Sequence, residues 1–178
     1  NIGKPYQKIA GKSLIEINIA KARKFKQIKK IVLVYNKKDL KRVKSLKLKN
    51  VKMIVGGKNR QQSTLNALKH LINQKGASKV LIHDVARPNF SEKLMSSIIR
   101  NMLNARAVIP KIEIQDAIKQ IIDSSKEEYL VGKNRDKLFL TQTPQAFNLK
   151  EIYRLHKTNS GKYKDDDISL YMDLNKVK

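Results

Sequence analysis

The sequence has 178 residues, enough for one domain with a hydrophobic core, and no apolar run in it is long enough for a membrane span or a signal peptide. Cysteine is absent, which excludes disulfides and thiolate metal sites and fits the reducing cytoplasm, where we expect the protein to reside. The formal net charge of +24 is typical of nucleic-acid-binding proteins, but the basic residues are mostly lysines spread over almost every predicted surface, so we expect weak binding of polyanions and no specific DNA or RNA partner.

The N-terminal segment predicts a loop followed by a helix. Gly3-Lys4-Pro5 and Gly11 are typical of a loop, and Ser13 can cap a helix from about Leu14 to Lys24. A helix that opens an α/β domain needs an earlier strand to pack on. We therefore expect the native protein to begin before Asn1.

Strands and helices alternate along most of the remaining chain. This alternation is typical of a Rossmann-like three-layer α/β sheet, mostly parallel, in one domain over residues 1–178. No GxGxxG pattern is present, so a dinucleotide cofactor is not expected. The predicted strands are 31–36, 51–55, 80–82 and 107–110, and the predicted helices are about 38–46, 63–72, 91–103, 149–158 and a last one capped by 165–167.

A glycine-rich loop joins the strand over 51–55 to the next helix. Backbone N–H groups at the start of a helix can cradle phosphate, and Arg60 and Ser63 add a cation and a hydroxyl at this place. The alternative is a plain tight turn, because a glycine pair alone is a weak signal. We interpret Gly56, Gly57, Arg60 and Ser63 as a candidate phosphate-binding loop.

The segment VLIHDVARP, residues 80–88, combines a short buried strand with charged residues at its carboxyl end. Ligands of open α/β sheets bind outside the carboxyl ends of the strands. Asp84 can hold a divalent metal ion there, and Arg87 can bind phosphate through its fork of donors. In the alternative interpretation, Asp84 caps a turn and Arg87 is an ordinary surface charge.

From residue 111 the pattern changes. Alternating apolar residues at Ile112–Ile114 and Tyr129–Val131 predict a β-hairpin with a polar turn from Asp123 to Glu128, within an arm that spans residues 111–137. The exposed edges of such a hairpin usually pair with another chain. We therefore expect a homodimer in which two arms embrace.

Six motifs occur in a fixed order along the chain, and together they resemble the 2-C-methyl-D-erythritol 4-phosphate cytidylyltransferase family. One such motif would be weak, but six at sensible spacing are specific, and they extend over nearly the whole chain. The motifs are Gly3–Tyr6, Gly56–Leu65, His83–Pro88, Asp116–Lys119, Arg135 with Thr143–Gln145, and Asp165–Ser169.

The resemblance implies transfer of a cytidylyl group from CTP to the phosphate of 2-C-methyl-D-erythritol 4-phosphate, with release of pyrophosphate and with Mg²⁺ as cofactor. Attack of one phosphate on another needs no general base, so catalysis consists of positioning and charge neutralisation. The expected catalytic residues are Lys4 and Arg87, and the metal ligand is Asp84. The nucleotide-binding residues are Gly56, Gly57, Arg60, Ser63, Asp84 and Val85, and the substrate-binding residues are Arg135, Thr143 and Asp116. We also hypothesise that Arg135 acts in the partner subunit's site.

The sequence departs from the family pattern in several places. The glycine-rich GxGxR loop before Lys4 and the C-terminal DNxK segment have no counterpart in these residues, so we expect this 178-residue form to turn over CTP slowly. Ala117 replaces a usual threonine, and Lys58 stands where an acidic residue is common. Three alternatives stay open: another polyol phosphate as substrate, a second enzyme domain fused downstream, or a basic nucleic-acid-binding module, which would need stacking aromatic residues on a lysine-rich face.

Overall fold

The computed structural model describes residues 3–124, 127–159 and 165–172, and for 122–124, 127–130 and 172 it describes the backbone only. Short 3-10 turns occur at Lys4–Tyr6, Lys37–Asp39 and Arg135–Lys137. The α-helices are α1 (Leu14–Arg23), α2 (Leu40–Ser45), α3 (Arg60–Ile72), α4 (Glu92–Asn101), α5 (Leu149–Thr158) and α6 (Ser169–Met172). The strands are β1 (Lys8–Ile9), β2 (Lys12–Ser13), β3 (Val32–Tyr35), β4 (Lys52–Val55), β5 (Lys79–Ile82), β6 (Ala107–Val108), β7 (Lys111–Glu113), β8 (Ile118–Ser124), β9 (Glu127–Lys133), β10 (Phe139–Thr141) and β11 (Gln145–Asn148).

Helix α1 begins at the predicted cap. The Ser13 hydroxyl accepts a hydrogen bond from the backbone N–H of Glu16, and the Glu16 carboxylate accepts one from the backbone N–H of Ser13. This reciprocal capping box satisfies two N–H groups that a helix start otherwise leaves unpaired. The apolar face of α1 then packs with β3 and α2 in one cluster, built from Ile15, Ile19, Leu33 and Val43.

Strands β3 and β4 form the one parallel pair among the described strands, with Val32 opposite Lys52 and Tyr35 opposite Val55. Their carboxyl ends therefore lie at the same edge. Residue 56, which follows β4, continues the contact, because its backbone N–H donates to the Tyr35 carbonyl at 2.8 Å.

Strand β11 lies between β5 and β6 and is antiparallel to both. Side chains of a strand alternate between the two faces of its sheet. Phe147 accordingly packs on one face with residues of α3 and α5, and Ala146 packs on the other face with residues of α4. Helices thus cover both faces of this sheet, which confirms an α/β architecture. The expectation of a mostly parallel sheet is not confirmed, because the described strand pairs are mostly antiparallel. The central strand of the three-stranded sheet, Gln145–Asn148, is not among the predicted strands.

The arm differs from the predicted hairpin in its pairing. Strand β7, which contains Ile112, pairs with β10, whereas the long hairpin consists of β8 and β9. Asp123 and Glu128 face each other in that ladder, as do Ser124 and Glu127, so the strands run further toward the tip than expected. The predicted turn over 123–128 was therefore too wide, and its residues 125 and 126 lie outside the described part of the chain.

The acidic run over 165–167 caps the last helix as predicted, and Asp166 is the residue that does so. The Asp166 carboxylate accepts from the backbone N–H of Ser169 at 3.1 Å and from its hydroxyl at 2.6 Å, at the start of α6. Across the three described ranges, no helix has the length and apolar character needed to cross a bilayer.

Candidate functional site

The carboxyl ends of β3, β4 and β5 meet in one region. The N–H of Gly56, just after β4, bonds to Tyr35 at the end of β3. Val85, just after β5, packs in the same apolar cluster as Tyr35 and Tyr6. This is the edge at which open α/β sheets bind their ligands.

The loop after β4 depends on its two glycines for close packing. A Cβ atom on Gly57 would lie 2.1 Å from Cγ of Gln62, and one on Gly56 would lie 2.9 Å from Oγ of Ser63. The Ser63 hydroxyl closes the loop, since it accepts from the N–H of Gly57 at 3.0 Å and donates to the Asn59 carbonyl at 2.8 Å. The glycines therefore serve close approach of the loop to α3, and the Gly57 N–H is used inside the loop.

Arg60, the first residue of α3, connects the glycine loop with the strand end. Its Nη2 donates to Oδ2 of Asp167 at 2.5 Å, and its Nε lies 3.8 Å from Oδ1 of Asp84. Burial lowers the pKa of Arg60, but the nearby carboxylates of Asp167, Asp84 and Asp166 outweigh this effect, and the pKa is raised. The guanidinium is therefore a permanent positive charge, and it is held toward the end of β5 while 39% of the side chain stays exposed.

Asp84 stands between two guanidinium groups. One carboxylate oxygen faces Arg60, and the other lies 3.6 Å from Nε of Arg87. The backbone of the same segment forms a turn, with the Arg87 N–H donating to the Asp84 carbonyl at 3.0 Å. Both interpretations of the sequence are thus compatible with the geometry, because the turn is what brings the Arg87 side chain back to Asp84. The Asp84 side chain is 40% exposed and can be reached by a ligand.

Thr143, expected to bind substrate, lies under this turn and is only 7% exposed. Its hydroxyl accepts from the N–H of Asp84 at 3.1 Å and lies 3.0 Å from Nδ1 of His83. Burial is the largest influence on His83 and lowers its pKa, although Asp84 opposes this effect. Thr143 therefore supports the strand end from below, and its contact with substrate stays a prediction.

A buried polar cluster holds the C-terminal segment against the site. Asp167 is 1% exposed and lies between Arg60 and His156, whose Nε2 is 2.9 Å from Oδ1 of Asp167. Its neighbour Asp166 accepts from Thr141 at 2.7 Å and from Gln145 at 2.9 Å. The sequence did not indicate the separate roles of Asp167 and His156, since the acidic run was predicted only to cap a helix and to form part of a family motif.

Lys4, Asp116 and Arg135 are not brought to Asp84 by contacts within the described part of the chain. Lys4 is exposed in the first 3-10 turn, two residues before Tyr6, which packs in the same cluster as Val85. Asp116 is exposed in the bend between β7 and β8, and the Arg135 guanidinium donates to the carbonyl of Gln115 beside it. The structure thus groups Asp116 with Arg135 at the base of the arm.

The fit of Mg²⁺ rests on Asp84. The described residues contain no cluster of three or more His, Asp or Glu side chains that could form a complete metal site. Magnesium is, however, usually held by one or two carboxylates together with substrate phosphates and water. The Asp84 oxygens are exposed, and their ion pairs of 3.6 and 3.8 Å are long, so they can fit such a shared site.

Comparison with known proteins agrees with this geometry. A family model described as 2-C-methyl-D-erythritol 4-phosphate cytidylyltransferase matches residues 1–175. The chain is 41% identical to a bifunctional enzyme IspD/IspF of Pelagibacter ubique, over 93% of this chain and 43% of that protein. It is 35% identical to the 2-C-methyl-D-erythritol 4-phosphate cytidylyltransferase of Dictyoglomus thermophilum, over 84% of this chain and 66% of that protein. The chain therefore spans less than two thirds of the length of these relatives.

The chain is also similar to a bifunctional protein with a different name and to solved structures of the family. The chain is 32% identical to a bifunctional ribulose 5-phosphate reductase/CDP-ribitol pyrophosphorylase of Haemophilus influenzae, over 82% of this chain and 32% of that protein. Among solved structures, 4-diphosphocytidyl-2C-methyl-D-erythritol synthase from Anaerococcus prevotii matches with a TM-score of 0.83 at 31% identity, over 97% of this chain and 77% of that one. The Thermus thermophilus enzyme, at 22% identity and a TM-score of 0.75, shows the same fold over 98% of this chain and 80% of that one.

Proposed function

Because the chain belongs to the 2-C-methyl-D-erythritol 4-phosphate cytidylyltransferase family, we propose that it transfers the cytidylyl group of CTP to the phosphate of 2-C-methyl-D-erythritol 4-phosphate. The observation that carries this proposal is the meeting of Arg60 and Arg87 around Asp84 at the end of β5. Two guanidinium groups with an exposed carboxylate between them suit a triphosphate and its counterion. The glycine loop lies directly before Arg60 and supplies the wall of the nucleotide site.

The reaction is a displacement at phosphorus. An oxygen of the substrate phosphate forms a bond to the α-phosphorus of CTP, and the bond from that phosphorus to the oxygen it shares with the β-phosphate breaks. The electron pair of the broken bond leaves with pyrophosphate. The attacking phosphate is already anionic, so the protein has to align the two phosphates and offset the charge between them. We assign the second of these tasks to Lys4 and Arg87.

Asp84 is the residue that we propose to hold Mg²⁺, with the phosphates of CTP and water as the other ligands. When bound, the ion would offset charge on the phosphates and on the departing pyrophosphate. Arg60 and Arg87 then have a second role, because their long ion pairs keep the Asp84 carboxylate directed toward the ligand. Val85 supports the same turn through its carbonyl, which accepts from Asn18 at 2.9 Å.

We propose in addition that the protein is a homodimer whose arms embrace and that Arg135, with Asp116, binds substrate in the partner's site. The region around β7 and β10 supports this arrangement. Four of its apolar side chains are between 42% and 54% exposed, namely Ile112, Leu138, Phe139 and Leu140. Ile112 and Leu140 lie opposite each other across β7 and β10, and an exposed apolar patch of this kind is typical of a protein interface. The cytoplasmic location likewise stays a proposal.

A second candidate function is transfer of the cytidylyl group to a different polyol phosphate. It is favoured by the 32% identity to the Haemophilus influenzae protein whose name includes CDP-ribitol pyrophosphorylase. The two candidates share the nucleotide site around Asp84. They differ in the residues that meet the polyol, for which Arg135 and Asp116 are the expected positions.

The experiment that tests the proposal supplies the full-length native protein with CTP, Mg²⁺ and either 2-C-methyl-D-erythritol 4-phosphate or ribitol 5-phosphate. The released pyrophosphate and the mass of the cytidine product are measured. We expect rapid turnover with the first acceptor and a loss of about 100-fold or more in Arg87→Ala, since one charge-stabilising group is removed. Arg100→Ala is the matched control, because Arg100 is exposed at the end of α4. Preference for ribitol 5-phosphate would select the second candidate with that acceptor. No cytidine product from either acceptor would contradict the first candidate and would exclude ribitol 5-phosphate as the acceptor of the second.

A further inference from the structure

Asn18 lies on α1, outside every motif of the sequence, yet its side chain reaches the strand end that carries Asp84. The side chain is 7% exposed. Its Nδ2 donates to the carbonyl of Leu14 at 2.7 Å and to the carbonyl of Val85 at 2.9 Å, and its Oδ1 lies 2.9 Å from Nε2 of His83. The bond to Leu14 stays within the helix, but the other two cross to the segment after β5.

The partners of Asn18 determine the donor and the acceptor of each hydrogen bond in the series that connects Asn18 to Asp84. Carbonyl oxygens only accept, so the amide NH₂ must face Leu14 and Val85, and the amide oxygen must face His83. An oxygen there requires a hydrogen on Nε2 of His83. In the neutral ring Nδ1 is then an acceptor, and it receives the hydroxyl hydrogen of Thr143 across 3.0 Å.

The last step reaches Asp84 itself. With its hydrogen directed at His83, the Thr143 oxygen accepts from the backbone N–H of Asp84 at 3.1 Å. Hydrogen bonds thus run in one direction from Asp84 through Thr143 and His83 to Asn18.

Helix α1 holds the same segment at a second point. Lys21, one turn after Asn18, donates to the carbonyl of Pro88 at 2.5 Å and to that of Phe90 at 3.3 Å. Its ammonium also lies 5.2 Å from the centre of the Phe90 ring, within reach of a cation–π contact. The turn that carries Asp84 and Arg87 is therefore fixed at both of its ends by α1.

We propose that Asn18 is a positioning residue of the site: it fixes the tautomer of His83 and thereby orients the Thr143 hydroxyl that holds the Asp84 backbone. Asn18 touches neither nucleotide nor metal in this scheme and acts through His83. The effect on turnover rests on the proposed cytidylyltransferase activity, whereas the effect on His83 and on the Asp84 N–H does not.

The test compares Asn18→Leu and Asn18→Asp in the full-length native protein. Leucine has the same number and branching of side-chain heavy atoms, although it is larger, and it has no hydrogen-bonding group. Aspartate keeps an oxygen that can accept from Nε2 of His83 but loses both donors. The matched control is Asn101→Leu, because Asn101 also donates to a carbonyl four residues earlier, that of Ser97 at 2.8 Å, on the exposed part of α4.

Three quantities are measured: the His83 tautomer by ¹⁵N NMR at a pH where the ring is neutral, the hydrogen-exchange rate of the Asp84 amide, and kcat and KM for CTP. The chain has three histidines, which keeps the spectrum simple. For Asn18→Leu we expect a mixed tautomer, faster exchange at Asp84 and a fall in kcat/KM of about tenfold, as is usual when a supporting hydrogen-bond partner is lost. Asn18→Asp retains an acceptor for His83 and should therefore keep a hydrogen on Nε2, and Asn101→Leu should match the wild type.

Several outcomes separate the possible explanations. A wild-type tautomer and wild-type exchange at Asp84 in Asn18→Leu would overturn the proposal. Equal loss of activity in the leucine and aspartate variants, with unchanged His83 signals, would mean that Asn18 only stabilises α1 and would also overturn it. If the wild type transfers no cytidylyl group but the tautomer and the exchange rate change as expected, the positioning role stands and the proposed function fails.

Discussion

Replacement of Gly57 by alanine is the sharpest test of the glycine loop. The new Cβ would lie 2.1 Å from Cγ, 2.5 Å from Cβ and 3.1 Å from the backbone carbonyl carbon of Gln62, whereas ordinary contact begins at 3.4 Å. A different rotamer of Gln62 can remove the first overlap but not the other two, so the loop must move away from the start of α3 by about 1 Å, and such overpacking costs about 1–3 kcal/mol. The movement would also break the bond from the Gly57 N–H to Ser63.

The assay for Gly57→Ala combines thermal unfolding with KM for CTP. We expect a lower melting temperature and a KM raised by about tenfold, which corresponds to about 1.4 kcal/mol of lost binding energy. Gly132→Ala is the matched control, since the nearest atom to a Cβ there is Nζ of Lys119 at 3.7 Å, an ordinary contact, and substitution should be harmless. Wild-type stability and wild-type KM in Gly57→Ala would refute the close-packing argument for this loop.

Three further predictions concern the charged residues. Asp84→Asn should raise the Mg²⁺ concentration needed for half-maximal activity, because a neutral ligand replaces an anionic one, and an unchanged magnesium titration would assign Asp84 to the turn alone. Burial raises the pKa of Asp166, but hydrogen bonds from Ser169, Gln145 and Thr141 outweigh it and the pKa is lowered, so its stabilising effect is present at neutral pH and is lost as the pH falls below about 4. Asp166→Asn should flatten the acid limb of a plot of unfolding free energy against pH, and a limb of unchanged slope would contradict the assignment. Mixing inactive Lys4→Ala with inactive Arg135→Ala should restore activity if Arg135 acts in trans, and no recovery despite proven heterodimers would place Arg135 in its own subunit's site.

Local patterns sufficed for the elements that depend on neighbouring residues. Ser13 indicated the start of α1, and the predicted helix over 149–158 coincides with α5. Strand β3 and the loop after β4 were also readable, since short apolar runs and glycine pairs depend on a few adjacent positions. The order of helices and strands from α1 to β6 therefore followed from the sequence, whereas β1 and β2 lie in a segment that was expected to be a loop.

The choice of strand partners did not follow from local patterns. Apolar residues alternate at Ile112–Ile114, whereas β8 has apolar residues at Ile118, Ile121 and Ile122 without a period of two, so the pattern favoured the wrong partner for β9. Strand β11 was missed because its four residues follow a Thr-Pro step and lead straight into α5. Its place between β5 and β6 is decided by the packing of Phe147 on one face and Ala146 on the other.

The sequence predicted only part of the site, again because local patterns do not determine contacts between distant residues. Motifs pointed to Arg60, Asp84 and Arg87 one at a time, but the contact of Arg60 with Asp167 joins residues 107 positions apart. Asn18 carries no motif at all, and its role depends on α1 lying beside the segment after β5. Such hydrogen bonds require the completed fold, because nothing in the neighbouring sequence distinguishes them from ordinary helix or capping residues.

The charge balance of the site explains why additional cations belong to the proposed mechanism. Arg60 and Arg87 face the carboxylates of Asp84 and Asp167, so these four groups nearly cancel despite the net charge of +24 on the whole chain. The surface lysines can draw anionic ligands toward the protein, but screening limits their effect at the site to roughly 8–10 Å at physiological salt. A triphosphate therefore needs further positive charge within contact distance. Lys4 and a divalent ion on Asp84 are the sources that we propose, which is why removal of the Asp84 charge should alter the magnesium dependence more than it alters the fold.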